Sequence, residues 1–284
     1  MKIGFIGLGN LGKEIAKRII QGGFSLQVWN RTPDKGKDLG VEIAKNLEDL
    51  ANACDPIFVI VFDSSASKEV IFGEKGLIKG ELSGKTIIDM TTNDPAYVRE
   101  AEKRLKEIGA YYIDAPVLGS VIPARKGELT LLLGGVKEKT EAYKEIYQTF
   151  AKNIYYVGEA GKASELKLIN NFILGTFMEA ISEALSLGEK LGFSKDLLLE
   201  VLGNGAAKSM ILEVKKQKLL EEDFSTHFSA DLMYKDLYYL MKLLKEKGEI
   251  SFTASTIKEL YGLVKKKGLG SQDFSVIYKV LKEL

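Results

Sequence analysis

Apolar positions repeat in two different ways along this chain. In the first half they come as short runs: Lys2–Ile6 (KIGFI), Ser25–Trp29 (SLQVW), Pro56–Phe62 (PIFVIVF) and Lys85–Met90 (KTIIDM). Each suits one buried strand. Tyr111–Asp114, Leu129–Leu133 and Ile154–Val157 are further strand candidates. Helical spacing follows Gly12 to about Ile20, surrounds Val70, follows Pro95 and runs from Lys137 to Ala151. Strands alternating with helices predict a parallel sheet covered on both faces. After Gly161 the pattern becomes helical throughout. Ala163–Leu191 reads as one helix, ~43 Å long at 1.5 Å per residue. One apolar stripe runs Leu166, Ile169, Ile173, Phe177, Ile181, Ala184 and Leu187, and a second runs Leu168, Phe172, Met178 and Leu185. Apolar residues on most sides predict a helix packed on most sides. Glu165, Lys167, Glu179 and Glu183 interrupt any apolar run of membrane-spanning length. Leu197–Leu202 with Ser194 as its cap, Lys208–Leu220, Phe228–Lys247, Ser251–Lys267 and Phe274–Leu284 complete a helical second half.

Composition narrows the function classes. Forty basic and thirty-nine acidic residues leave a net charge of +1, so there is no electrostatic case for nucleic acid or anionic lipid. The single Cys54 excludes an intrachain disulfide and a cysteine metal cluster. His227 is the only histidine, so no histidine-rich metal site is expected, and no G-x-S-x-G accompanies it to suggest a hydrolase. The chain enters a strand at once, which predicts no signal peptide and a cytoplasmic protein. All five prolines fall at or before Pro123, which separates two halves of different architecture.

Gly7, Gly9 and Gly12 form G-x-G-x-x-G between the first strand and the first helix, enclosing Leu8, Asn10 and Leu11. That context fits the dinucleotide mechanism: a tight turn, a close backbone approach to pyrophosphate, and helix–strand packing. The second strand ends in Asn30-Arg31-Thr32, with no carboxylate for ribose hydroxyls and an arginine able to pair with a 2′-phosphate. This favours NADP (NADPH) over NAD, with a solvated loop arginine as the alternative; Asp34 lies deeper in the loop behind Pro33. Asp63-Ser64-Ser65 and Thr91-Thr92-Asn93 follow two strands and could line the nicotinamide side or cap helices, as Ser64 or Ser65 and Asp94 would. Ala115–Gly135 reads as a non-repetitive loop able to cradle a small anion, with Ser120, Arg125 and Lys126 at hand. Lys167 and Asn171 are four apart and share a helix face. Lys167 either snorkels to solvent or sits in a cleft for a purpose. The fold expected is an α/β N-terminal Rossmann-type dinucleotide-binding domain, residues 1–161. An all-α C-terminal domain, residues 162–284, carries a substrate cleft and the oligomer contacts, and the two are joined by the long interdomain helix.

In this order the pieces resemble the β-hydroxyacid dehydrogenase family, which includes 3-hydroxyisobutyrate dehydrogenase and the glyoxylate/succinic semialdehyde reductases. GFIGLGNLGKEIA, VWNRT, IDMTTNDP, DAPVLGSVIPARKGELTLLLGG, GKASELKLINN and Lys235-Asp236 carry the resemblance across essentially the whole chain. Gly119 to Leu129 looks most like the glyoxylate/succinic semialdehyde reductase branch. The resemblance implies Lys167 and Asn171 as the catalytic pair. It implies Phe62, Asp63, Ser67, Thr92 and Lys235 on the cofactor, and Thr92, Leu118, Gly119, Ser120, Phe228 and Asp236 on the substrate. The family usually has serine where this chain has Leu118. The implied reaction is hydride transfer between NADP(H) and a small carboxylate-bearing aldehyde or hydroxy acid, such as succinic semialdehyde or glyoxylate. A 3-hydroxyisobutyrate or L-serine-type dehydrogenase is an alternative. An imine reductase or a non-catalytic NADP-binding scaffold would be expected to lack Lys167. No metal, nucleic acid or membrane partner is expected, and a homodimer or homotetramer is.

Overall fold

The structure, a computed structural model, describes residues 2–284. It divides into two compact units, one ending at Lys167 and the other running Leu168–Leu284.

The first unit alternates as its apolar runs require. β1 (Ile3–Ile6), α1 (Asn10–Gln21), β2 (Leu26–Trp29), β3 (Glu42–Ile43), α2 (Leu47–Ala53), β4 (Ile57–Val59), α3 (Ser64–Phe72), β5 (Thr86–Asp89), α4 (Pro95–Glu107) and β6 (Tyr111–Asp114) follow one another. The strands lie parallel in the order β3-β2-β1-β4-β5-β6. Successive strand residues serve opposite faces: Phe5, Phe58 and Ile88 enter one apolar cluster with Ile15 and Ile19 of α1, while Ile6, Ile57 and Ile87 enter another with Leu50 and Val98. Burial on both faces is why these strands read as continuous apolar runs.

Three segments depart from the sequence reading. Ala115–Gly135 is not an irregular loop: besides the expected strand at Leu129–Leu133, here β8 (Leu129–Gly135), it holds β7 (Val117–Leu118) and α5 (Val121–Lys126), with β8 antiparallel to both β6 and β7. The expected helix over Lys137–Ala151 is broken into α6 (Lys137–Glu141) and α7 (Lys144–Tyr147). At the break Tyr143 leaves helical geometry, and its buried hydroxyl donates to Thr86 Oγ1 at 2.8 Å. β9 (Ala151–Gly158) then pairs in parallel with β8 and is longer than its four apolar positions suggest. The cap of α3 is Asp63, which accepts from the Ala66 amide at 2.8 Å, and not Ser64 or Ser65. Ser64 Oγ instead accepts from the Asp94 amide at 2.8 Å. Asp94 caps α4 as expected, with Pro95 in its first turn.

α8 (Lys162–Lys190) is one continuous helix, and the unit boundary falls inside it. Beyond it come α9 (Lys195–Asn204), α10 (Met210–Glu221), α11 (Ala230–Lys247), α12 (Phe252–Lys266) and α13 (Ile277–Lys282), the last preceded by a 3₁₀ turn at Phe274–Val276. Ser194, Ser209, Ser229 and Ser251 cap α9 to α12, each accepting from the amide three residues on. Within the chain, α8 is packed on one side only. Leu168, Met178 and Leu185 are buried, but Ile169, Ile173, Phe177 and Leu187 are between 42% and 54% exposed. Packing on most sides is therefore not met within the chain: neighbouring helices cover the second stripe and, of the first, Ile181. Among the described residues no helix is long and apolar enough to cross a membrane.

Candidate active site

The glycine loop shows three different demands on one motif. Gly7 has φ +100°, and a Cβ there would lie 1.9 Å from the Ile60 carbonyl oxygen. A Cβ on Gly12 would lie 2.1 Å from the Gly7 oxygen. Gly9 meets nothing within 4 Å, is exposed, and heads α1 without a side-chain cap. The first and third glycines are thus required by the protein itself. The second leaves open space in front of an uncapped helix N-terminus, which fits a pyrophosphate. Leu8 is buried in the core, with its amide donating to Asn30 Oδ1 at 2.9 Å. Asn30 Nδ2 donates to the Thr32 carbonyl at 2.8 Å, so Asn30 braces the glycine loop against the segment after β2. Asn10, Arg31 and Thr32 are exposed and Leu11 is half-buried. Asp34 pairs with Lys37 at 2.7 Å, so this loop carboxylate already has a cation.

Beyond β4 and β5 lies a buried network that the sequence reading did not find. Asp89 is fully buried and receives Ser67 Oγ at 2.5 Å, Asn93 Nδ2 at 2.9 Å, Tyr112 Oη at 2.9 Å and the Thr91 amide at 2.9 Å. Burial pushes its carboxyl above the usual range, against the lowering pull of Ser67 and Thr91. Thr91 Oγ1 in turn accepts from the Val61 amide at 3.0 Å. The two loops at the strand ends are therefore tied together from behind. Ser67, expected on the cofactor, is fully buried, with its hydroxyl engaged by Asp89 and Tyr97. Phe62 is 52% exposed at the mouth of these loops, and Thr92 is half-buried. The available signal was an aspartate ending an otherwise apolar strand.

Leu118 is half-buried at the end of β7, opposite Thr130. Gly119 follows with φ +116°, where a Cβ would lie 2.7 Å from Leu129. Ser120 heads α5 without using its hydroxyl as a cap. Asp114, at the end of β6, accepts from the amides of Gly161 at 3.1 Å and Ser164 at 2.9 Å, and from Ser164 Oγ at 2.7 Å. Burial pushes its carboxyl up to about 7, although these donors pull the other way. One turn beyond Ser164, Lys167 is only 8% exposed, so it does not snorkel.

In the second unit Asn171 is 1% exposed and donates to Asp236 Oδ2 at 2.5 Å. The other Asp236 oxygen faces Lys235 Nζ at 3.1 Å, too oblique for a hydrogen bond. Lys235-Asp236 is not on the surface: the two side chains are 11% and 1% exposed. Phe228 packs edge-on against Phe274, with centroids 5.7 Å apart. The segment carrying it is held by Asp273, which accepts from the amides of His227 and Phe228 and pairs with Lys215 Nζ at 2.6 Å. Burial and the nearby lysines lower the pKa of His227.

Comparison with known proteins identifies the family. Residues 2–158 match the model of the NAD binding domain of 6-phosphogluconate dehydrogenase, and residues 161–281 match that of the NAD-binding domain of NADP-dependent 3-hydroxyisobutyrate dehydrogenase. The chain is 31% identical to glyoxylate/succinic semialdehyde reductase 2, chloroplastic, of Arabidopsis thaliana, over 99% of this chain and 80% of that one. It is 33% identical to 2-hydroxy-3-oxopropionate reductase of Escherichia coli K12, over 99% and 97%. The solved structure of Psf3 in complex with NADP+ and 2-OPP superposes with a TM-score of 0.90 at 25% identity, covering 98% of this chain and 99% of that one. The chain belongs to the β-hydroxyacid dehydrogenase family and is an oxidoreductase with an NAD(P)-binding Rossmann-type unit.

Proposed function

We propose that the protein is an NADP(H)-dependent reductase of small carboxylate-bearing aldehydes, with Lys167 as the proton donor. The carrying observation is the burial of Lys167 one turn before Asn171, whose amide is held by Asp236. When bound, the nicotinamide cofactor supplies or accepts the hydride. A buried ammonium stabilises the negative charge growing on a carbonyl oxygen and can give it a proton. Asn171, fixed by Asp236, orients the lysine or that oxygen. Ser120 and neighbouring amides suit the substrate carboxylate, and half-buried Thr92 suits the nicotinamide side. Arg31 is exposed at the strand end with Asp34 already paired, which supports a 2′-phosphate and so NADP. The names of the two relatives describe reductases of glyoxylate, succinic semialdehyde and 2-hydroxy-3-oxopropionate, all small oxo acids. Leu118 adds an apolar wall, which favours a substrate with methylene carbons, such as succinic semialdehyde, over glyoxylate.

Lys167→Ala tests the reading. kcat should fall by ~10²–10⁴-fold while NADPH affinity barely changes. Lys167→Arg should not rescue, because guanidinium holds its proton too tightly. A folded, NADPH-binding alanine variant within tenfold of wild-type turnover would end the proposal. The exposed stripe Ile169, Ile173, Phe177 and Leu187 also supports at least a homodimer. Light scattering should return at least twice 31.4 kDa at micromolar protein, and a monomer mass would refute it.

A further inference from the structure

A helix that starts against protein needs acceptors for its first amides, because water cannot reach them. α8 starts this way: Gly161, Ala163 and Ser164 are all buried. Its acceptor is not the residue before it but Asp114, fifty positions before Ser164, at the end of β6. One carboxylate oxygen takes the amides of Gly161 and Ser164, and the other takes the Ser164 hydroxyl. Three bonds from a strand of the central sheet to one helical turn restrain both rotation and slide of that helix. Ser164 and Lys167 are three residues apart and lie on the same side of it. The strand that ends in Asp114 leads directly into Ala115–Ser120, the segment with Leu118 and Ser120.

We propose that Asp114 is a positioning residue for Lys167, setting the azimuth and depth of the lysine relative to the sheet by gripping the first turn of α8. The inference rests on the reading of Lys167 as proton donor. Asp114 touches no reacting atom. Its effect is to keep the ammonium in place, where a displacement on the order of 1 Å lowers a rate by up to ~10²-fold. Shape matters here more than charge. An asparagine at this position can offer its oxygen to the two amides and its NH₂ to the Ser164 hydroxyl, so Asp114→Asn retains the grip. Asp114→Ala releases it.

The test compares kcat, KM, NADPH Kd, melting temperature and the pH profile of kcat for Asp114→Ala, Asp114→Asn, Lys167→Ala and the Asp114→Ala/Lys167→Ala double variant. Asp114→Ala should lower kcat roughly 10–100-fold with NADPH Kd within about twofold, and Asp114→Asn should stay within about threefold of wild type with an unshifted pH profile. The double variant should be no slower than Lys167→Ala, since a positioner has nothing left to position. A wild-type kcat in Asp114→Ala beside an inactive Lys167→Ala overturns the positioning role alone. So does an Asp114→Asn as slow as Asp114→Ala, or losses that multiply in the double variant. A Lys167→Ala within tenfold of wild type overturns the underlying reading and this inference with it. Should Asp114→Ala not fold, Ser164→Ala removes one of the three bonds and leaves the backbone bonds in place. It should lower kcat about threefold at unchanged NADPH Kd, and an unchanged kcat overturns the proposal.

Discussion

Asp114 in the first unit and Asp273 in the second are both fully buried carboxylates, each accepting hydrogen bonds from backbone amides and from a serine hydroxyl. Their titration behaviour is opposite. Asp114 is pushed up to about 7 by burial, whereas burial of Asp273 is outweighed by the Lys215 ammonium at 2.6 Å, which holds that carboxyl below its usual range. Neutral donors satisfy the oxygens but do not neutralise the charge, and a buried cation does. The same division runs through the two units. The first unit presents backbone N–H groups and an uncapped helix end, with Arg31 as an exposed cation at the edge. The second uses buried side-chain pairs, Lys215–Asp273 and Lys235–Asp236.

The largest effect should come from removing the cation. Lys215→Met leaves Asp273 buried and uncompensated, and should cost about 3–5 kcal/mol in urea denaturation, with much of it recovered by adding Asp273→Asn. A loss under ~1 kcal/mol would mean that the amides suffice and the contrast with Asp114 is false. Arg31→Ala comes next. It should weaken NADP binding by roughly 1.5–3 kcal/mol and leave NAD binding nearly unchanged, measured by titration calorimetry. Equal losses for both cofactors would show that Arg31 is only a solvated loop residue.

The last effect is a slope, modest at any one pH. An unfolded aspartate titrates near ~3.9, so the native state holds the Asp114 proton more tightly than the unfolded chain does. Its contribution to stability is complete below the unfolded value and is lost as pH rises from about 4 to about 7. Asp114→Asn does not titrate. Relative to wild type it should therefore gain up to ~1.4 kcal/mol for each pH unit across that window, and nothing further above it. Parallel stability curves for the two proteins would show that three neutral donors do balance the buried charge.

Much of this was legible residue by residue. The start of α9 follows from Ser194, because a cap needs only an amide three residues away, whereas the expected starts at Lys208, Phe228 and Ser251 fall one or two residues before the helices that Ser209, Ser229 and Ser251 cap. The roles of Gly7, Gly9 and Gly12 follow from their place between a strand and a helix. The buried state of Lys167 and of Lys235-Asp236 did not follow, since a lysine among leucines has the same pattern whether it snorkels or is enclosed. Nor did the Asp89 network, whose members Ser67, Asn93 and Tyr112 come from three separate segments.

What the sequence by itself determined is local. It sets the strand and helix order, the glycine turn that leaves Gly9 open, and the spacing that puts Lys167 and Asn171 on one face. Tertiary structure alone decided which distant donor meets each buried charge. Asp114 reaches Ser164 across fifty residues, Asn171 reaches Asp236 across sixty-five, and Lys215 reaches Asp273 across fifty-eight. It also decided that most of the first apolar stripe on α8 stays uncovered within the chain. The physical reason is the same in each case: caps and turns are satisfied by neighbours in the chain. A buried charge or an apolar face must be matched by whatever the fold brings against it.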